Sequence, residues 1–132
     1  MLTEKLILLP IMLYCHIIDD YKLQGILASM KQKKWWEDNA AEPLYKNDYK
    51  MALWEHAFCW SFSIALPPLI VALLTHNNIL MSILILFYPF NTILHAYIDD
   101  LKANKHDINL VQDQLCHISQ IIGLWGVVCM SM

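Results

Sequence analysis

The chain has 132 residues, 58% of them hydrophobic and only 16% charged, with a formal net charge of −3. Soluble domains usually carry about a quarter charged residues, so this balance points to a membrane protein. There is no arginine, and the nine lysines are scattered or confined to connections, which excludes the basic patch that nucleic-acid binding requires. The length suits one domain, residues 1–132, and no Ser/Gly-rich linker suggests a second. Cys15, Cys59, Cys116 and Cys129 lie in apolar segments without CxxC spacing, so they read as buried thiols rather than as a disulfide framework or zinc finger.

Hydropathy divides the chain into four helical segments, at about 3–30, 50–75, 79–101 and 108–131. The first opens on a greasy run, LILLPIMLYC, and then meets HIIDDYKLQ, from His16 to Gln24. A secretory leader is disfavoured there, because Lys5 precedes only a short apolar run and no small-residue cleavage site follows. The second contains AFCWSFSIALPPLIVALL and the third ILMSILILFYPFNTILHAYI, both uncharged and near the roughly 20 residues needed to span a bilayer. The fourth carries Asp113 and His117 near its start and then runs apolar to the end. Alternation with period 2 is absent, and an open sheet could not satisfy its edges in lipid, so the expected fold is all-α: a polytopic bundle of four transmembrane helices. Pro67, Pro68 and Pro89 should kink their helices rather than end them.

The first and third connections hold seven of the nine lysines, and the second, THNN, holds none. The positive-inside rule then places the lysine-rich connections in the cytoplasm and both termini on the far side, with Lys5 opposing that orientation. Trp35, Trp36, Trp54 and Trp60 flank the same boundary in the manner of an aromatic belt.

Three short stretches share one pattern: His16 with Asp20, His95 with Asp99, and Asp113 with His117 each stand four residues apart. Residues at i and i+4 share a helical face one turn apart, so each pair can aim an imidazole and a carboxylate at one point. His56 adds a fourth histidine from the second segment. At a rise of about 1.5 Å per residue, all seven groups fall in one layer beneath the cytoplasmic surface. Four His and three Asp facing into a helical bundle form a ligand set for one or two divalent ions. Zinc leads, while Mn, Fe, Ni or Mg also suit such donors. Asp19 ranks below Asp20 by its i+3 spacing, and His76 and His106, in connections, read as solvated.

The ordered set H16-x3-D20-x3-Q24, a mid-chain helical His56, H95-x3-D99-x2-K102 and D113-Q114-x2-H117 resembles domain-of-unknown-function family 3307, small integral membrane proteins of bacteria and phages. The likeness covers nearly the whole chain, and more distantly the pattern is similar to membrane-bound metal-dependent hydrolases. It implies a bacterial inner-membrane location, phage-encoded in some members, and a shared polar site, but no established reaction. Many relatives carry Gly where this chain has Asp19, which places an additional carboxylate beside the site.

The expectation is therefore a membrane-embedded metal-dependent hydrolase of a phosphoester or lipid-like substrate at the cytoplasmic interface. His16, His56, His95 and His117 would ligate through neutral imidazoles, with Asp20, Asp99 and Asp113 as ligands or as partners orienting those rings. One aspartate would remain free as general base. Gln24 and Gln114 would hold substrate or water, and Lys102 would neutralise a phosphate. The partners are then the lipid bilayer and a lipid or phosphorylated small molecule, with a second copy of the chain also compatible with so small a bundle. The alternatives are a non-catalytic interaction or pore-forming membrane protein, whose cluster is structural glue, and an ion or proton relay.

Overall fold

The computed structural model describes the backbone of residues 2–132 and the side chains of residues 3–132, so Met1 of the expected domain lies outside the described residues. Four long helices carry the architecture: α1 (Leu2–Ile18), α4 (Asp48–Leu74), α5 (Asn78–Ala103) and α6 (Leu110–Ser131). Between α1 and α4 run a π-turn (Asp19–Leu23), two short helices, α2 (Leu27–Met30) and α3 (Lys33–Asn39), and a 3-10 turn (Pro43–Tyr45). No strand occurs among the described residues. Helix α1 packs on α4, α4 on α5, α5 on α6 and α6 back on α1, closing a four-helix bundle. Helices α4, α5 and α6 are each long and apolar enough to cross a membrane.

The helix ends are specified locally. Asn77 caps α5 by accepting the Leu80 N–H, and Asn109 and Gln112 form a reciprocal capping box at the start of α6. After α4, His76 adopts a left-handed φ of 51°, and the Asn77 and His76 amides bond back to the Ala72 and Leu73 carbonyls. That is the Schellman arrangement, built here without its usual glycine. Helices α4 and α5 continue through Pro67, Pro68 and Pro89. Lys5, which opposed the expected orientation, has a structural partner: its amine donates to the Cys129 carbonyl at 2.7 Å, near the C-terminus of α6. A cation suits that end of a helix dipole.

The first segment departs from the expected continuous helix over 3–30. The chain widens into the π-turn at Asp19, bends at Gly25 with φ +51°, and folds back so that α2 packs on α4. The wider turn brings Asp19 and Asp20 inward together, whereas an α-helix would favour only one of them beside His16. Asp100 and Lys31 fix the return path through Asn104, whose side-chain amide donates to the Asp100 carboxylate at 2.9 Å and the Lys31 carbonyl at 3.2 Å. Asn104 Oδ1 also accepts the Lys33 N–H at 2.7 Å. A Cβ at Gly25 would approach nothing closer than the Leu23 carbonyl at 3.9 Å, so Gly25→Ala is resisted by the backbone conformation alone. We expect it to lower unfolding stability by about 1 kcal/mol, read from a denaturation midpoint in detergent; an unchanged midpoint would refute the turn's importance.

The interior has two parts. Leu8, Met12, Ile64, Leu80, Ile121, Leu124 and Val128 form an apolar core through the half of the bundle containing the termini, and Trp60 closes it at the boundary with a polar layer. Trp60 is fully buried, so it does not belong to the expected aromatic belt: its position on α4 turns it into the bundle. The cysteines also differ from expectation. Cys59 and Cys116 are exposed on the outer faces of α4 and α6, and Cys15 and Cys129 are half-buried, because an apolar helix has an outward face as well as an inward one.

Candidate metal centre

The polar layer brings together side chains from all four long helices and the π-turn. His16, Asp19, Asp20, His56, His95, Asp99, Asp113 and His117 are all buried. The i, i+4 pairs meet as their spacing implies: His16 Nδ1 lies 3.5 Å from Asp20 Oδ2, His95 Nε2 lies 3.8 Å from Asp99 Oδ2, and His117 Nε2 lies 3.4 Å from Asp113 Oδ1. Two overlapping triads, Asp20/His56/His95 and His95/Asp99/His117, each converge within 4.8 Å and could hold an ion.

The first cluster is built around His56. Its Nε2 stands 3.1 Å from His95 Nε2, 3.3 Å from Asp20 Oδ1 and 3.3 Å from Asp99 Oδ2. Atoms bound to a tetrahedral ion at about 2.0–2.1 Å lie about 3.3 Å from one another, so these separations suit the edges of one coordination shell. The second cluster is built around His117, whose Nε2 stands 3.2 Å from Asp99 Oδ1 as well as 3.4 Å from Asp113 Oδ1. Asp99 therefore presents Oδ2 to the first cluster and Oδ1 to the second.

A directed hydrogen-bond chain stands behind these donors. Trp60 Nε1 donates to His16 Nδ1 at 2.8 Å, which leaves the His16 proton on Nε2, facing Gln114 Oε1 at 3.1 Å. Gln114 Nε2 then donates to Asp20 Oδ2 at 3.2 Å and Asp113 Oδ2 at 3.1 Å. Lys102 adds a second bond to Asp113 Oδ2, at 2.7 Å. Both aspartates thus have Oδ2 tied down, while Asp20 Oδ1 and Asp113 Oδ1 are buried with no hydrogen-bond partner among the described residues. Unpaired buried carboxylate oxygens facing imidazole nitrogens are costly in a folded protein, and a bound cation removes that cost.

The expected site residues occupy different places in this arrangement. His56, His95, His117, Asp20, Asp99 and Asp113 line the two clusters, whereas His16 stands outside both triads with each ring nitrogen engaged by a protein group. Gln114 lies at the centre of the orienting chain. Gln24, expected one turn beyond Asp20 on the same stripe, lies beyond the π-turn; its amide donates back to the Asp20 carbonyl and its Oε1 is buried and unpaired. Asp19, ranked below Asp20 by spacing, is equally buried, with Oδ1 accepting from Ser63 Oγ at 2.8 Å.

Three participants escaped the sequence reading. Trp60 stacks on His95 with ring centroids 4.0 Å apart and planes 16° apart, besides bonding His16. Lys31 Nζ lies 2.6 Å from Asp99 Oδ2, although 68 residues separate the two in sequence. Ser63 holds Asp19. Trp60 and Ser63 stand four and seven residues after His56 on the same helix, a spacing that puts them on its face, whereas Lys31 reaches the layer only because the chain doubles back after Gly25.

Comparison with family models, curated proteins and solved structures finds no match to this chain. The functional reading therefore rests on the geometry and on the residues themselves.

Proposed function

We propose that the protein is a membrane-embedded, metal-dependent hydrolase acting on a phosphoester or lipid-like substrate at the cytoplasmic interface. The observation that carries this reading is the convergence of buried Asp20 Oδ1 and Asp113 Oδ1 on imidazole nitrogens at 3.3 and 3.4 Å, with no hydrogen bond to either oxygen among the described residues, while Gln114 secures each Oδ2. A divalent ion in such a site lowers the pKa of a coordinated water toward neutrality and polarises a phosphoryl or acyl oxygen.

In this reading His56, His95, Asp20 and Asp99 would hold one ion, and His117, Asp99 and Asp113 would hold a second. Zinc suits the mixed imidazole and carboxylate donors, and Mn, Fe, Ni or Mg remain alternatives. His16 and Gln114 orient the carboxylates. With only one of the two positions filled, the aspartate outside its ligand set (Asp113 or Asp20) would accept the proton of the attacking water as the water oxygen bonds to phosphorus or carbon and the bond to the leaving oxygen breaks. The cluster lies at one end of a bundle whose other half is filled by Met12, Ile64, Ile121 and Val128, which opposes an ion path through the molecule.

All four long helices cross the membrane in this reading, with the lysine-rich connections in the cytoplasm. Support for the first comes from Leu6, Ile7, Ile11, Tyr14 and Ile17, which leave α1 with an exposed apolar face. The setting this reading assigns is a bacterial inner membrane. A non-catalytic protein with a purely structural polar layer is the second reading, favoured by the complete pairing of His16 and by the Lys31–Asp99 and Lys102–Asp113 ion pairs.

Metal content separates the two. The detergent-purified protein is expected to carry one to two ions per chain by elemental analysis, and to gain thermal stability when zinc is restored after chelation. An ion present at about 100 times its dissociation constant adds about 2.7 kcal/mol to the folded state. Absence of both stoichiometric metal and ion-dependent stabilisation would exclude the hydrolase.

A further inference from the structure

Lys31 and Lys102 enter the polar layer from different elements, and both line a cavity of about 290 Å³ together with Gln24, Gln32, Asp99 and His106. The two amines are engaged differently. Lys102 takes Asp113 Oδ2, while Oδ1 of that carboxylate faces His117, so its pairing is compatible with an ion at Oδ1. Lys31 takes Asp99 Oδ2, the same oxygen that stands 3.3 Å from His56 Nε2. An ion among His56, His95, Asp20 and Asp99 would draw on that oxygen and repel the ammonium beside it.

Charge balance acts in the same direction. Asp19, Asp20, Asp99 and Asp113 are four buried carboxylates, against which Lys31 and Lys102 place two ammoniums. With neutral imidazoles the layer is two charges negative, and two divalent ions reverse it to two positive. Buried excess charge of that size calls for a counter-charge.

We propose that ion binding releases Lys31 from Asp99 into the adjoining cavity, where Lys31 and Lys102 form a subsite for the dianionic phosphate of a phosphate monoester. This rests on the metal reading above and names the substrate class for it. The dianion matches the charge of the loaded layer, and its terminal oxygens accept from both amines in the manner of other phosphate sites. The cavity is at the small end of ligand-site volumes, which suits a phosphorylated head and leaves any tail outside. The phosphate is shared chemistry between a lipid headgroup and a soluble phosphomonoester.

The test titrates inorganic phosphate into the full-length, detergent-solubilised protein, ion-free and loaded with stoichiometric zinc. Phosphate is expected to bind the loaded form at least about tenfold more tightly. Lys31→Ala should cost about tenfold or more of that affinity with zinc content unchanged, and Lys31→Arg should restore most of it. Lys31→Gln provides a bulkier neutral variant should the alanine protein fold poorly. Phosphate affinity unchanged in both neutral variants while zinc stays bound overturns the subsite and leaves the metal reading standing. Failure of the wild-type protein to take up any of the candidate ions removes both. Stronger competition by phosphatidic acid in mixed micelles than by glycerol phosphate assigns the lipid source, and the reverse assigns the soluble one; competition by neither overturns the proposal.

Discussion

Asp99→Asn is expected to abolish binding of both ions, whereas Asp20→Asn and Asp113→Asn should each remove one. The asymmetry follows from Asp99 being the one carboxylate of the three that faces both clusters, with Oδ2 3.3 Å from His56 Nε2 and Oδ1 3.2 Å from His117 Nε2. Removing groups that only orient a ligand typically costs 10–100-fold in metal affinity, so losing the shared anionic ligand should cost more than about 100-fold. The substitution nearly preserves side-chain shape. It also frees Lys31, which is not fully enclosed and borders the cavity, so its amine has somewhere to turn. Metal per chain, measured beside the thermal midpoint of the ion-free protein, separates lost ligation from lost folding. Two ions retained by the asparagine variant would rule out the shared-carboxylate arrangement.

Trp60→Ala should be among the most destabilising single changes in the protein. Trp60 is fully buried, stacks on His95 and supplies the only N–H that His16 Nδ1 receives among the described hydrogen bonds. Truncating a buried Trp commonly costs about 3–5 kcal/mol through lost contacts and the cavity left behind. Trp60→Phe keeps a ring against His95 and removes the donor, so about 1–3 kcal/mol is expected from the unsatisfied His16 nitrogen alone. Denaturation in detergent distinguishes these outcomes. Equal midpoints for the two variants would show that stacking contributes nothing, and a phenylalanine variant as stable as wild type would show that the His16 bond does not matter.

The helical character and the approximate limits of three long helices were legible because their signals are local. Uncharged runs around 57–74 and 79–98 and the change to polar connections all lie within a few turns of the structures they specify. The limits of the first segment were not. Its i, i+4 stripe from His16 through Asp20 to Gln24 implies a continuous helix, but the chain widens into a π-turn and then bends back at Gly25. Burying both carboxylates opposite α4 and α6 favours that departure, and those partners are distant in sequence. Burial of the cysteines and of Trp60 was misread for a related reason: an apolar environment in sequence does not say which face of a helix turns inward.

By itself, the sequence determined the membrane-like composition, the all-helical class and the three His/Asp pairs, because hydropathy and i, i+4 spacing depend only on neighbours along one helix. The tertiary structure decided how those pairs combine. It divided them into two clusters joined by His95 and Asp99, turned His16 and Gln114 into an orienting chain, and brought Lys31 and Trp60 to the donors. The physical reason is that each of these relations is a distance between helices. Such distances follow from the packing order of the bundle and the reversal after Gly25, neither of which has a local signature in the chain.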